Sequence, residues 1–329
     1  MHVMSLVRGT RARRPSEASV SMASAPVRSY TASMPARSAT VRVPATSANL
    51  GPGFDSLGLA LDWTAEIRIT IDDRELERPR GPIDAMATTA ARTLFQQAGA
   101  TLPIGLQAEY DGDIPVGRGL GVSAFARIAG LVAANELIDG DYSDDTLLGL
   151  AAKLEGHADN AAPALFGGLQ ITVSDEDELA HIGIQPADDL QVALLVPNFS
   201  MPTTESRKAL PERLTRNQTV HNIGRSAMLI AALQQRRYDL LRVATEDVLH
   251  QPARGQIFKP MYQIFQAARD AGALAVYLSG GGPTVAALAT DGLEGVADAM
   301  REAAVAHGVD GQTRVCAIRA AGAELIATD

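Results

Sequence analysis

The chain has 329 residues, 46% of them apolar, and a formal net charge of −9. That length exceeds the ~100–200 residues usual for one domain, so two domains are expected. The acid excess argues against a nucleic-acid partner, which brings a basic surface. No apolar run nears the ~18 residues of a membrane span, so a water-soluble globular protein without a membrane partner is expected. One cysteine, Cys316, leaves no internal disulfide to form, and its place in an apolar stretch makes it a structural thiol.

Residues 1–38 differ in character from the rest: rich in Ser, Ala and Arg, with Glu17 as their one acid. Such a composition supports no core, so a disordered tail or a start upstream of Met22 or Met34 is expected. An Arg-rich, acid-poor start also fits an organelle transit peptide, which would change a cytoplasmic location to a plastid one. The organised domains are expected over 39–190 and 191–329.

From Ala39 the text changes. A strand over Thr40–Val43 runs into a loop punctuated by Pro44, Gly51, Pro52 and Gly53, with Asn49 and Asp55 in or beside it. Taken alone, those two are turn-formers that bond their own backbone. Ile67, Ile69 and Ile71 alternate in a strand over Leu61–Ile71. A helix follows over Asp84–Ala98, then a strand over Ile104–Tyr110.

Next comes Asp113-Ile-Pro-Val-Gly-Arg-Gly-Leu-Gly-Val-Ser-Ala124, followed by the apolar-periodic run Phe125–Leu137. Gly117, Gly119 and Gly121 let the backbone approach a ligand without a Cβ in the way. With a helix starting near Ser123, bare N–H groups and the positive helix end converge on one point, which suits a phosphate. An ordinary glycine-rich strand-to-helix turn remains the alternative. No Gly-Lys dipeptide occurs, so the P-loop is excluded; the dinucleotide fingerprint fits poorly, and the protein-kinase signatures are missing.

Beyond it, a helix over Ser143–Lys153, with Ser143 as N-cap, leads to Glu155-Gly-His157-Ala-Asp159-Asn160 and an apolar Ala/Leu/Phe run. A polar cluster at a core edge is costly unless solvated or used. The second half reads as a strand over Gln191–Val196, helices over His221–Gln235, Tyr238–Leu249 and Met261–Ala271, strands over Leu274–Leu278, Val285–Leu288 and Thr313–Arg319, and a helix over Gly292–Ala306. Arg207, Arg254 and the bend Ser279-Gly-Gly-Gly-Pro-Thr284 lie among these elements.

The phrase Pro115, Gly119, Leu120, Gly121, Ser123, Ala124 resembles the phosphate loop of the GHMP kinases, and five further segments agree in order. Residues 44–60 are similar to the first motif of the homoserine kinase branch. Residues 155–168 resemble the segment that sets that branch apart. Thr203–Pro211 and His250–Arg254 match its two arginine motifs, and Ser279–Thr284 the third GHMP motif, which packs on the phosphate loop in the family.

The resemblance covers residue 39 onward. It implies an α+β, two-domain GHMP kinase fold, the first domain resembling that of a ribosomal protein and the second ferredoxin-like, with the site between them. It also implies ATP-dependent phosphorylation of L-homoserine in threonine biosynthesis. Ile114, Pro115, Val116, Gly117, Arg118, Gly119, Leu120, Gly121, Val122, Ser123 and Ala124 would bind ATP, and Ser123 and Glu155 would hold Mg²⁺. Arg207 and Arg254 would grip the substrate carboxylate, Asp55 the ammonium, and Asn49, His157 and Asn160 the hydroxyl end. Catalysis would rest on Asn160, Arg207, Ser123 and Glu155.

Several relatives carry a basic aspartate where this chain has Asn160, so the γ-phosphate or solvent is expected to take the hydroxyl proton. Val122 stands where the family loop has a serine, and weaker ATP binding is the expectation. Another small alcohol as substrate, or a metabolite sensor on the same fold, are the competing readings; a homodimer stays open.

Overall fold

The computed structural model describes residues 37–75, 81–175 and 178–329; the expectation for the amino-terminal segment falls almost wholly outside them. Arg37 and Ser38, read as part of that segment, open the first strand, β1 (Arg37–Ala48). It pairs antiparallel with β2 (Leu57–Asp72), whose Ile67, Ile69 and Ile71 all face inward, as their alternation requires. Then come α1 (Pro82–Gln97), β3 (Gly105–Asp111), α2 (Val122–Leu137), α3 (Asp144–Glu155), α4 (Ala161–Phe166) and the hairpin β4 (Leu169–Asp175) and β5 (Glu178–Ile184). Ser143 caps α3, its hydroxyl accepting from Thr146 N–H at 3.3 Å.

The second half begins with β6 (Gln191–Pro197), α5 (Thr203–Lys208) and α6 (Arg216–Gln234). A single expected helix over Tyr238–Leu249 is instead a 3₁₀ turn (Tyr238–Leu240), α7 (Leu241–Ala244) and a non-helical link to α8 (Gln251–Ile257). The break has a cause. The buried Asp247 carboxylate accepts the N–H groups of Leu249, His250 and Gln251, capping a new helix rather than letting the old one continue. The chain ends with α9 (Met261–Asp270), β7 (Ala275–Leu278), β8 (Val285–Ala289), α10 (Leu293–Ala306), β9 (Gly311–Ala317) and β10 (Glu324–Thr328).

Two antiparallel sheets organise these elements. One runs β10-β1-β2-β4-β5, with β3 also on β2; the other runs β7-β8-β6-β9. Because β10 crosses back to pair with β1, a division at residue 190 leaves out one strand of the first sheet. The helix α2 is the axis of the first core: Phe125, Ile128 and Leu131 are at most 1% exposed, and small residues fill most of the rest. Among the described residues no helix is long and apolar enough to cross a membrane.

The crossing of α1 and α2 is set by Gly130, where a Cβ would stand 2.2 Å from the Ala87 carbonyl oxygen. Backbone cannot retreat as a side chain can, so Gly130→Ala must push the helices apart. A loss of about 1–3 kcal/mol is expected, read as a lower midpoint in urea unfolding.

Candidate active site

The loop between β3 and α2 is tied down at its start. Trp63 donates its indole N–H to Asp113 at 2.6 Å, and the Ile114 N–H bonds the Tyr110 hydroxyl at 2.9 Å. Its three glycines have φ of 70°, 78° and 67°, all left-handed. A Cβ on Gly119 would meet the Ser279 carbonyl oxygen at 2.2 Å, and one on Gly121 the Thr46 hydroxyl at 1.8 Å. Ser279 donates its hydroxyl to Gly119 C=O, and Thr284 its N–H to Arg118 C=O. The third motif thus packs on this loop, as the resemblance implies.

Gly121 is the N-cap of α2, and no side chain caps the helix. Its first-turn N–H groups lack intrahelical acceptors, and the positive helix end adds to them. Pro115, Gly117, Arg118 and Val116 line the outer part of the turn, partly or wholly exposed. Ile114, Leu120, Val122 and Ala124 turn their side chains into the core and offer the loop only backbone. For Val122 this changes the reading: a serine there would exchange buried methyl groups for an enclosed hydroxyl.

In the first turn of α2, Ser123 Oγ donates to Glu155 Oε2 at 2.9 Å. The other carboxylate oxygen receives the Arg127 guanidinium. Two hard oxygen donors at the mouth of an anion-binding helix end are the donor set Mg²⁺ takes alongside phosphates and water. A second cluster, Asp55, His157 and Asp159, brings its ligand atoms within 4.8 Å of one another. Its imidazole suits Mg²⁺ less well.

A third polar cluster draws on both halves of the chain. Asn49 is buried, donating to Gly280 C=O at 2.9 Å and accepting the Asp55 N–H at 3.1 Å. Asp55 and Arg207 form a two-pronged ion pair at 2.6 and 2.9 Å. Arg254 is only 2% exposed; it donates to Gly280 C=O and to His250 Nδ1, and its Nε has no partner. Both guanidinium groups lie over the Phe54 ring, at 5.3 and 5.5 Å. Asn160 accepts from the Thr46 hydroxyl at 2.7 Å and donates to Asp159 at 3.2 Å; Asp159 also holds His157 Nδ1 at 2.5 Å. An ideal Cβ on Gly121 would lie 2.8 Å from Asn160 Oδ1, so the polar segment abuts the end of the phosphate loop.

Comparison with known proteins places the chain among characterised relatives. Residues 85–168 match the GHMP kinases N terminal domain, and residues 229–306 match GHMP kinases C terminal. The homoserine kinase of Carboxydothermus hydrogenoformans is 39% identical, over 80% of this chain and 89% of that protein. That of Deinococcus radiodurans is 41% identical, over 72% and 80%. The chain belongs to the homoserine kinase family of the GHMP kinases. The crystal structure of homoserine kinase from Cytophaga hutchinsonii superposes with a TM-score of 0.80 at 29% identity, covering 88% of this chain and 97% of that one. The two-domain GHMP kinase fold, with helices and sheets in both parts, is therefore shared.

Three site residues of this family member escaped the sequence reading. Arg127 looks like one charged residue on an apolar helix, and only the fold turns it onto Glu155. His250 belongs to a matched motif but had no role; it is fully buried, its Nε2–H donating to Gly51 C=O at 2.8 Å while Nδ1 accepts from Arg254. Burial pushes its pKa down to about 4, so it stays neutral and can accept from the guanidinium. Asp247, which caps α8, also receives Asn222 and fixes the helix that carries Arg254. His157 goes the other way. Burial alone would lower it, but the hydrogen bond and charge of Asp159 win and raise it above the usual 6.5.

These opposite shifts shape stability against pH. Below 6.5 the unfolded chain protonates His250 while the folded one resists until about pH 4, so stability falls as pH drops through that window. Above 6.5 the folded state holds the His157 proton longer, so stability falls as pH rises. In urea unfolding across pH 4–8, His250→Gln is expected to flatten the acid limb by up to about 1.4 kcal/mol per pH unit, and His157→Gln the alkaline one. An unchanged acid slope in His250→Gln places the titration elsewhere.

Proposed function

We propose that this chain is an ATP-dependent homoserine kinase, transferring the γ-phosphoryl group to the L-homoserine hydroxyl. What carries the reading is Arg254. A guanidinium 2% exposed, with a free Nε and no carboxylate bonded to it, is a buried cation that Asp55, Asp247 and Asp159 stabilise only from a distance. Burial first, and then the nearby Arg207, depress its pKa to about 10. A substrate carboxylate supplies the missing charge. The neighbouring Asp55–Arg207 pair suits a zwitterion: the ammonium takes Asp55, and the released Arg207 joins Arg254 on the carboxylate.

The reaction asks little covalent chemistry of the protein. Amides of the loop and of the first turn of α2 hold the phosphates. Ser123 and Glu155 would hold Mg²⁺, which supplies neutralisation of charge on the transferred group. Asn160, fixed by Thr46 and Asp159, directs the hydroxyl oxygen at the γ-phosphorus; that P–O bond forms, ADP leaves, and the hydroxyl proton passes to the phosphate or solvent. The nucleotide base takes the cleft of about 700 Å³ beside Val116, lined by Gly81, Pro82, Ile83, Asp84 and Tyr110.

ADP release, measured with homoserine, mevalonate and galactose side by side, is expected with homoserine alone. Arg254→Met is expected to raise the KM for homoserine about 30-fold, the weight of one charged hydrogen bond of about 2 kcal/mol, with little change for ATP. Turnover of mevalonate or galactose in place of homoserine would overturn the assignment.

A further inference from the structure

We infer that Arg127 is a built-in counterion standing in for the divalent cation at Glu155, so that metal enters the site only together with the nucleotide. The inference rests on Ser123 and Glu155 being the metal pair.

Arg127 lies one turn after Ser123 on α2, where residues four apart share a face. From Val122 to Asn135 it is the helix's one charged residue. A cation so near a helix N-terminus opposes the macrodipole, so its position needs a compensating anion. That anion is Glu155, whose side chain is 8% exposed while that of Arg127 is 21% exposed. A carboxylate so enclosed is costly without a cation beside it. Here one oxygen takes Arg127 and the other takes Ser123 Oγ, so both sides of the carboxylate are engaged before any ligand arrives.

Three consequences follow from charge alone. A free divalent cation approaching Glu155 must work against a guanidinium already in place, so its affinity for the protein alone is suppressed. A triphosphate feels the reverse, an added positive charge next to the helix end that holds it. When the two come together, the phosphates offer Arg127 a new anionic partner, and Glu155 is released to the metal. Arg127 is thus a positioning residue that couples metal entry to nucleotide entry.

The test is Mn²⁺ binding, by electron paramagnetic resonance, to the purified full chain without nucleotide. Arg127→Gln keeps a hydrogen-bond donor and removes the charge; Arg127→Lys keeps the charge. Arg127→Gln is expected to bind Mn²⁺ about tenfold more tightly than the unaltered chain, as removing a like charge beside a divalent cation predicts. Metal-free ATP should bind it more weakly, while Arg127→Lys follows the unaltered chain in both. Unchanged or weaker Mn²⁺ binding in Arg127→Gln overturns the inference. The control is Arg127→Gln combined with Glu155→Gln. If that pair still binds Mn²⁺ tightly, the metal sits elsewhere, and it is the assignment of Ser123 and Glu155 that fails.

Discussion

The structure depends on one close approach, that of the Gly119 backbone to the turn at Ser279–Gly282. The gap admits a hydrogen but no side chain, and it is closed by the Ser279 hydroxyl on Gly119 and the Thr284 N–H on Arg118. Through it the phosphate loop of one half is seated on a bend of the other. The same bend offers the Gly280 carbonyl to both Asn49 and Arg254. A shift of this seam therefore moves the glycine-rich loop, Asn49 and Arg254 together, which on the proposed reading are the nucleotide and carboxylate ends of the site. Where two reacting groups must meet in line, such shared anchorage is worth more than any single contact.

Electrostatics within the cleft is arranged so that resting charges pair with each other, and on the proposed reading each pair matches a part of the substrates. Asp55 with Arg207 mirrors an amino acid's ammonium and carboxylate. His250 stays neutral because it is fully enclosed, and so it can accept from Arg254 rather than repel it. Arg254 keeps an unused Nε donor in the interior. A buried cation with no carboxylate bonded to it is costly in the empty protein, and on the proposed reading part of that cost is recovered when the substrate carboxylate arrives.

Much of this was legible in the residues, and what was not has physical reasons. The isoleucine alternation in β2, the Ser143 cap and the apolar run of α2 are local signals, and each element formed with only its ends displaced. Several residues of the site motifs do lie close together, Asp55 with Arg207 and Ser123 with Glu155 among them. Pairing is another matter. That Asp55 meets Arg207 across 152 positions, or His250 meets Gly51 across 199, is decided by topology rather than by adjacency. The strand β10 escaped because an exposed edge strand needs no apolar alternation. The helix over Tyr238–Leu249 was misread because its period continues through Asp247, whose side chain then takes the amides that a helix would need.

The hydrogen bonds around Asn160 bear on how the hydroxyl loses its proton. Thr46 donates to Oδ1 and Asp159 accepts from Nδ2, so the orientation of the amide follows from its partners. An amide so held offers a remaining lone pair to a hydroxyl and no basic site. Asp159 stands beside it, yet it is 2% exposed, and the same oxygen already takes both His157 and Asn160. On the proposed reading the groups around the nucleophile would aim it and leave the proton to the phosphate or to water, which a loose, dissociative phosphoryl transfer allows, since its transition state asks little nucleophilic push.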